Sequence, residues 1–246
     1  MAYVYGLHAV DALLRQNPQQ VEQLWLQSGR NDKRMSALET LARNQGVATD
    51  RESREQLDGR VQGRHQGVVA IVQEASSQQW DEKALWTLLD ELQGPATLLV
   101  LDGITDPHNL GACLRSADAA GVHAVIVPRD KSADLTPVSR KVACGAAEVV
   151  PFVRVTNLAR TLEGLKERGI WLYGAAGEAE TTLYDSDLSG PLALVMGAEG
   201  AGLRRLTREC CDYLVKLPMA GSVSSLNVSV ATGVCLFEVV RQRKAG

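Results

Sequence analysis

The amino-acid sequence predicts an α/β protein that consists of a small N-terminal unit and a larger domain with a mostly parallel sheet. Two observations support this fold class. From residue 97 onward, short apolar runs rich in Val, Leu and Ile recur, as expected for strands that are buried on both faces. Helix-compatible segments separate most of these runs, and strands that alternate with helices imply parallel pairing through crossover connections.

The first seventy residues contain a shorter alternation of the same kind. The sequence predicts a helix over residues 6–16, a strand over 21–27, a helix over 32–46 and a strand over 67–72. We therefore predict an N-terminal domain over residues 1–73. A polar stretch without periodicity follows, and residues 74–94 are predicted to form a linker and a connecting helix, with one apolar face formed by Leu85, Leu88, Leu89 and Leu92.

Residues 95–246 form the second predicted domain. Its apolar runs predict six strands, at residues 97–102, 123–128, 149–155, 170–176, 192–197 and 213–218. Ligands of open parallel sheets bind at the carboxyl ends of the strands. Residues with a function should therefore follow the apolar runs, and three stretches do so.

The charge of the chain does not by itself indicate a nucleic-acid partner. The formal net charge is −3, so a polyanion would have to bind local clusters of arginine. Such clusters are also common on solvated faces. The candidates are Arg51, Arg54, Arg60 and Arg64 in the N-terminal domain, and Arg204, Arg205 and Arg208 in the second domain.

Cysteine and histidine usage predicts neither a disulfide framework nor a metal site. The five cysteines form no C-x-x-C pair, and the four histidines lack metal-ligand spacing. We expect the thiols to be buried as small hydrophobes. The sequence starts without the pattern of a signal peptide, and the uncharged stretch at residues 219–237 is too polar for a membrane span. A soluble, cytoplasmic protein is expected.

The first stretch, "DPHNLGACLRSADAAGV" at residues 106–122, follows the strand at 97–102. It predicts a helix capped by Asn109, whose apolar stripe faces the sheet. Arg115 lies off that stripe among small residues, of which Gly111 lets a ligand or another backbone come close. On the helix alone, two interpretations stay open: Arg115 contacts a ligand, or it forms a salt bridge with Asp118 or a distant carboxylate.

The second stretch, "LVMGAEGAGL" at residues 194–203, predicts a strand that ends in a glycine-rich loop with one acid, Glu199. Its G-x-x-G-x-G spacing differs from the dinucleotide-binding fingerprint, which disfavours a nucleotide-dependent oxidoreductase. The glycines allow backbone N–H and C=O groups to face a ligand closely. The alternative is a tight turn without a ligand.

The third stretch, residues 217–240, predicts a strand end followed by a polar cluster and a helix. The cluster offers hydroxyl, amide and backbone donors at a helix start. The alternative is a helix that a serine caps and that packs in the core or at a dimer contact. The cluster contains Ser222, Ser224, Ser225 and Asn227, and the helix carries Leu226, Val230, Gly233, Val234 and Phe237 on roughly one face.

Together the three stretches resemble the SpoU-type RNA 2′-O-ribose methyltransferases of the SPOUT superfamily. The family's N-x-G-x-x-x-R motif matches Asn109, Gly111 and Arg115, and its glycine motif matches residues 197–203. Its third motif matches residues 217–231. The resemblance also includes "YGLHAV" near the start and "HQG" at 65–67. Within the family it is strongest to the bacterial enzymes that methylate a guanosine of 23S rRNA.

The resemblance implies a fold, a cofactor and partners. The second domain should contain a deep trefoil knot, and the N-terminal domain should be an L30e-like domain that binds RNA. The enzyme should be a homodimer that acts on 23S rRNA without a metal ion or a membrane. It should bind S-adenosylmethionine, largely through backbone groups, at Gly197, Gly200, Leu217, Met219 and Leu226.

The resemblance also implies a catalytic set. Arg115 should grip the target phosphate and stabilise developing alkoxide charge, since a guanidinium is a poor base. Its companions should orient Arg115, the ribose and the guanine; they are Asn109, Glu199, Ser225 and Asn227. The alternatives are a tRNA ribose 2′-O-methyltransferase and a non-catalytic RNA-binding or ribosome-assembly factor with the same fold.

Overall fold

The computed structural model describes residues 2–61, 63–72 and 80–245. Residues 73–79, which include much of the predicted linker, lie outside the described residues. The strands are β1 (Ala2–Tyr5), β2 (Val21–Gln27), β3 (Thr49–Glu52), β4 (Val68–Val72), β5 (Thr97–Asp102), β6 (Ala124–Pro128), β7 (Phe152–Val155), β8 (Trp171–Ala175), β9 (Thr181–Thr182), β10 (Leu192–Gly197) and β11 (Tyr213–Lys216). The helices are α1 (Leu7–Gln16), α2 (Lys33–Asn44), α3 (Arg54–Arg60), α4 (Glu82–Glu91), α5 (Pro107–Ala119), α6 (Pro137–Ala143), α7 (Leu158–Lys166), α8 (Arg205–Cys210) and α9 (Val228–Ala245).

The N-terminal domain is a four-stranded sheet in the order β1-β4-β2-β3. Strand β4 pairs antiparallel with β1 and β2, whereas β2 and β3 are parallel. The apolar faces of α1 and α2 pack on this sheet, because Leu13, Leu14 and Met35 are fully buried together with Leu24 and Leu26 of β2. The two strands and two helices predicted for this domain are confirmed.

The second domain is a parallel sheet of seven strands in the order β7-β6-β5-β10-β8-β11-β9. Helices cover both faces: α5 and α9 pack in one apolar cluster, while α4, α7 and α8 pack in the other. The buried runs of β5, β6 and β10 follow from this two-sided cover. The predicted α/β class is therefore confirmed. The trefoil knot, which depends on how the chain threads its loops, stays a prediction.

Helix α5 begins earlier than the sequence predicts. Asp106, not Asn109, is the N-cap residue, and its carboxylate accepts a hydrogen bond from the backbone N–H of His108 at 3.0 Å. Pro107 fits the first helical position because that position needs no N–H donor. Asn109 therefore lies within the first turn, where its side chain is available to another part of the protein.

The five cysteines are all free. Cys113, Cys210 and Cys235 are buried, as predicted, and burial raises the pKa of the Cys113 thiol to about 11. Cys211 is only half-buried, and for Cys144 the prediction is wrong, since this residue is exposed. It follows the last residue of α6 and adopts the left-handed region, at φ 54°. Among the described residues, no helix is both long and apolar enough to cross a membrane.

Candidate active site

The glycine-rich loop after β10 closes back on its own strand. The backbone of Ala198 exchanges hydrogen bonds with that of Gly202, at 3.1 and 2.9 Å. Gly200 and Gly202 have φ angles of +76° and +67°, which favour glycine. A Cβ atom on Gly197 would lie only 2.2 Å from the carbonyl carbon of Gly202. The glycines thus permit a tight loop whose backbone borders a cavity.

The far end of this loop is tied to β5 by a buried carboxylate that sequence reasoning missed. Asp102 is the last residue of β5, pairs in register with Gly197 and is fully buried. It accepts a hydrogen bond from the backbone N–H of Arg204 at 2.9 Å, and the guanidinium of Arg204 bonds to the same carboxylate. The pair therefore fixes where the loop ends. An acid that closes an apolar run was a visible signal, but its partner lies 102 residues away.

The three sequence motifs meet at the side chain of Asn227. Its amide nitrogen donates to Glu199 Oε1 at 2.6 Å and to Asn109 Oδ1 at 3.0 Å. The same Glu199 oxygen accepts the backbone N–H of Val228 at 3.3 Å. The side-chain amide of Asn227 thereby connects α5, the glycine-rich loop and the start of α9.

Asn227 also begins helix α9. Its Oδ1 atom accepts hydrogen bonds from the backbone N–H and the hydroxyl of Ser229, at 2.9 and 2.6 Å. Its carbonyl accepts the N–H of Ala231 at 2.9 Å. Asparagine is a favoured residue for this position, so the interpretation in which a serine caps the helix is wrong. Ser225 is exposed and borders the cavity, without a hydrogen bond among the described residues.

Arg115 is exposed on α5, and its Nη1 atom lies 3.6 Å from Cys144 Sγ. Within residues 2–61, 63–72 and 80–245 it makes no ion pair, so the salt bridge to Asp118 or another described carboxylate is absent. Gly111 lets another backbone approach, since a Cβ there would lie 2.5 Å from the Ser139 carbonyl oxygen. The close packing of α6 on α5 thus accounts for this glycine and brings Cys144 to the arginine.

A cavity of about 650 Å³ opens beside the glycine loop. All five residues predicted to hold the cofactor border it, as do Glu199, Ser225 and Asn227, whereas Asn109 and Arg115 lie outside its lining. Asn109 reaches the cavity through Asn227. The lining mixes backbone at strand ends with apolar side chains, which is the usual character of a small-molecule site.

The cavity has a second wall that sequence reasoning missed. Residues 175–178, at the end of β8, border it together with Leu183 and Arg208. Glu178 and Arg208 form an ion pair across this wall. Strand β8 was predicted, and it pairs in parallel with β10. Because ligands bind at the carboxyl ends of parallel strands, the segment after β8 could have been predicted to border the site. Among the described residues, no group of three His, Cys, Asp or Glu side chains is placed to hold a metal ion.

Comparison with known proteins identifies the two parts of the chain. Residues 96–237 match the model of the SpoU rRNA Methylase family, and residues 3–78 match that of the RNA 2′-O ribose methyltransferase substrate binding domain. The chain is 65% identical over 242 residues to the 23S rRNA (guanosine-2′-O-)-methyltransferase RlmB of Pseudomonas syringae pv. tomato, covering 98% of this chain and 96% of the relative.

Two solved structures resemble the fold. The SpoU methyltransferase AviRb of Streptomyces viridochromogenes, in complex with the cofactor AdoMet, has a TM-score of 0.78 at 28% identity. The match covers 99% of this chain and 91% of that one. The TrmH/SpoU tRNA modifying enzyme of A. aeolicus has a TM-score of 0.57 at 30% identity, covering 67% of this chain and 84% of that one. The protein therefore belongs to the SpoU rRNA methylase family.

Proposed function

We propose that this protein transfers a methyl group from S-adenosylmethionine to the ribose 2′-hydroxyl of a guanosine in 23S rRNA. One observation carries the proposal: Asn227 joins Glu199 and Asn109 by hydrogen bonds at the edge of a cavity of about 650 Å³. All three motifs of the family meet there. The near full-length similarity to an enzyme of this name supports the same assignment.

The cavity fits S-adenosylmethionine in size and in the character of its lining. Its volume lies within the range of about 300–1,000 Å³ that is usual for small-molecule sites. When bound, the cofactor supplies an electrophilic methyl group on a sulfonium. We assign its binding to the loop and strand ends that border the cavity, namely Gly197, Gly200, Leu217, Met219 and Leu226.

Arg115 is assigned to the substrate phosphate and to the charge that develops on the ribose oxygen. It is exposed, and Cys144 Sγ is its one hydrogen-bond partner among the described residues. Its remaining N–H groups are thus free to donate to phosphate oxygens in a bidentate manner. A fixed cation also stabilises an alkoxide as the hydroxyl proton leaves to phosphate or water.

The Asn109–Glu199–Asn227 network is assigned a positioning role. Its hydrogen bonds fix the edge of the cavity that faces α5, the helix that carries Arg115. Ser225 borders the same cavity, its hydroxyl makes no hydrogen bond with any described residue, and we assign it to the ribose or the guanine. Methyl transfer needs the attacking oxygen, the methyl carbon and the leaving sulfur in line, so positioning supplies much of the rate enhancement.

We favour rRNA over tRNA as the substrate because the chain has an N-terminal domain that matches a substrate-binding family. The relative named as a 23S rRNA enzyme matches nearly the whole chain, whereas the tRNA modifying enzyme matches two thirds of it. A non-catalytic assembly factor would not need Arg115, Glu199 and Asn227 together. We accordingly divide the chain into a substrate-binding domain at residues 1–73, a linker with its helix at 74–94, and a methyltransferase domain at 95–246.

The exposed side of α9 supports a homodimer. Val230 and Phe237 are 52% and 51% exposed, although both lie in the domain's long C-terminal helix. The predicted apolar face of this helix is therefore the one that faces away from the core. A second copy of the chain would cover it, which agrees with the alternative of a dimer contact. We place the enzyme in the cytoplasm, where it would meet ribosomal RNA.

Transfer of tritium from labelled S-adenosylmethionine tests this function directly. Purified protein should label 23S rRNA, and nuclease mapping should place the label on the 2′-oxygen of one guanosine. Labelling of tRNA instead would favour the second candidate. Absence of labelling from rRNA, from assembling large subunits and from tRNA would contradict the enzymatic assignment. Mapping of 2′-O-methyl groups in a deletion strain would name the nucleotide.

A further inference from the structure

A second cavity, of about 520 Å³, lies in the N-terminal domain, far along the chain from the cofactor cavity. It is bordered by the start of α1, the first turns of α2 and α3, and the loop at residues 63–67. We call it the arginine pocket, after Arg34, Arg54 and Arg64, whose exposed side chains surround it. None of the steps assigned above uses this pocket.

The pocket concentrates positive charge that the domain as a whole lacks. Residues 1–72 contain nine Lys and Arg against eight Asp and Glu. Four of those arginines border the pocket, the fourth being Arg30, whereas Asp58 is the one acid among the described residues of its lining. Overall neutrality thus conceals a local excess, and such an excess on one face is typical of a surface for polyanions.

The arginines at the rim are largely free to bind a ligand. Among the described residues, the side chains of Arg34 and Arg64 make no ion pair or hydrogen bond. Arg54 has only a long contact to Asp58, at 3.8 Å, with 76% of its side chain exposed. Arg30 differs, since its guanidinium is held by Asp32 and by the carbonyl of Gln66, both at 2.5 Å. The rim of the pocket, formed by Arg34, Arg54 and Arg64, is therefore available to a ligand, while Arg30 is held in place by its partners.

The floor is a rigid turn centred on the "HQG" segment. His65 is buried and receives the backbone N–H of Gly67 on Nδ1 at 3.0 Å, so its other nitrogen donates to Asp58 at 2.9 Å. Gln66 adopts a left-handed φ of 52° and accepts the N–H of Leu7 at 3.1 Å. This bonding ties the turn to the first residue of α1 and leaves the pocket preformed.

Helix α1 connects the arginine pocket with the catalytic arginine. Its first residue, Leu7, borders the pocket. Five residues later, about 7.5 Å along the helix axis, Ala12 packs against Gly145, where a Cβ would lie 2.7 Å from the Ala12 Cβ. The neighbour of that glycine is Cys144, which contacts Arg115. Helix α1 thus contacts the pocket through its first residue and, through Ala12, the segment whose Cys144 contacts Arg115.

We propose that the arginine pocket binds backbone phosphates of the RNA substrate beside the nucleotide that is presented to Arg115 of the same chain. The proposal rests on the RNA methyltransferase function proposed above. Phosphodiesters match the pocket because one guanidinium group can bind two phosphate oxygens at once. Three guanidinium groups around the pocket have no strong partner among the described residues. The turn at 63–67 would hold the strand at a set distance from the cofactor cavity.

The test compares RNA binding by the full-length wild type and by the triple variant R34A/R54A/R64A. Filter binding of transcribed 23S rRNA over a range of salt concentrations should show a dissociation constant raised by about tenfold or more. The slope of log affinity against log salt should become shallower by about 2, because each phosphate contact to a single strand contributes about 0.7. Calorimetry should find S-adenosylmethionine binding unchanged.

Two further variants make the result specific. Arg43→Ala is a matched control for Arg34→Ala, since both residues are exposed on α2 and lack ion pairs among the described residues, but only Arg34 borders the pocket. Arg43→Ala should leave affinity and slope at wild-type values. R34K/R54K/R64K should recover most of the slope, since it retains the charge. If the triple alanine variant fails to fold, each single alanine variant should flatten the slope by about 0.7.

Wild-type affinity and slope in the folded alanine variants would overturn the proposal, as would a loss of kcat without a loss of RNA affinity. The outcome is separable from that of the proposed function. If the wild type binds rRNA but transfers no methyl group, the methyltransferase assignment fails, while a flattened slope would still locate phosphate contacts in the pocket.

Discussion

The two sides of the candidate active site differ in how their polar groups are satisfied. On the glycine-loop side, the charged and amide groups are partners of one another: Asp102 holds Arg204, and Asn227 holds Glu199. On the α5 side, Arg115 has only a thiol as a partner among the described residues. The first side is thus complete before any ligand arrives, and the second keeps its donors for substrate. The glycine-loop side is therefore preorganised, whereas α5 supplies the donors that remain available to bind substrate.

Removal of the Arg115 side chain should have the largest effect on activity. Arg115→Ala should lower kcat by about a hundredfold or more, the usual cost of losing a donor to developing negative charge. Binding of S-adenosylmethionine should not change, because Arg115 lies outside the cofactor cavity. Single-turnover methyl transfer and calorimetry measure the two effects. Turnover at the wild-type rate would contradict the assignment of Arg115, and Arg115→Lys should fall between the two.

Disruption of the preorganised side should first reduce cofactor binding. Gly197→Ala places a Cβ within 2.2 Å of the Gly202 backbone, so the loop must open. The dissociation constant for S-adenosylmethionine should rise by about tenfold, or ~1.4 kcal/mol. Gly190→Ala is the control, since nothing lies within 4 Å of a Cβ there. Equal cofactor affinity in the two variants would show that the loop does not form the binding wall.

Removal of the charge on Asp102, beneath the loop, should affect the stability of the fold, and the exposed ion pair that serves as its control should have the smallest effect of all. Asp102→Asn keeps an acceptor but removes a buried charge partner of Arg204, and should lower the free energy of unfolding by about 1–3 kcal/mol. Arg205→Ala breaks an exposed pair with Glu209 and should cost less than about 0.5 kcal/mol. Urea denaturation of both variants measures the difference. Equal costs would mean that burial does not strengthen the Asp102 pair.

The sequence predicted the parts of the fold that are governed by burial on two faces. The six strands of the second domain appear as apolar runs because helices cover both sides of the sheet. Strand β3 was not predicted, because its sequence "TDRE" carries no apolar pattern. This strand lies at the edge of the N-terminal sheet, where its side chains are mostly exposed. The two-residue β9 is likewise at an edge and too short for any period.

The site was predictable where a residue carries a motif, and not where it depends on a distant partner. Arg115, Glu199 and Asn227 stood out by their spacing and surroundings. The N-cap residue of α5 could not be predicted from the sequence, because Asp106 and Asn109 are both favoured at this position. Only the path of the backbone selects Asp106. The bond between Asp102 and Arg204 forms because the sheet places the end of β5 beside the end of β10, and the loop after β10 returns to Asp102 at Arg204. Spacing along the chain does not reveal this contact.

The double role of Asn227 has a consequence for the motion of the protein. The same side chain starts α9 and fastens the glycine loop to α5, so fraying of the first helical turn and opening of the site are one fluctuation. The amide protons of Val228 and Ser229 are both bonded within this junction. Their rates of hydrogen exchange therefore measure how often the site comes apart, and ligands that close the site should slow them.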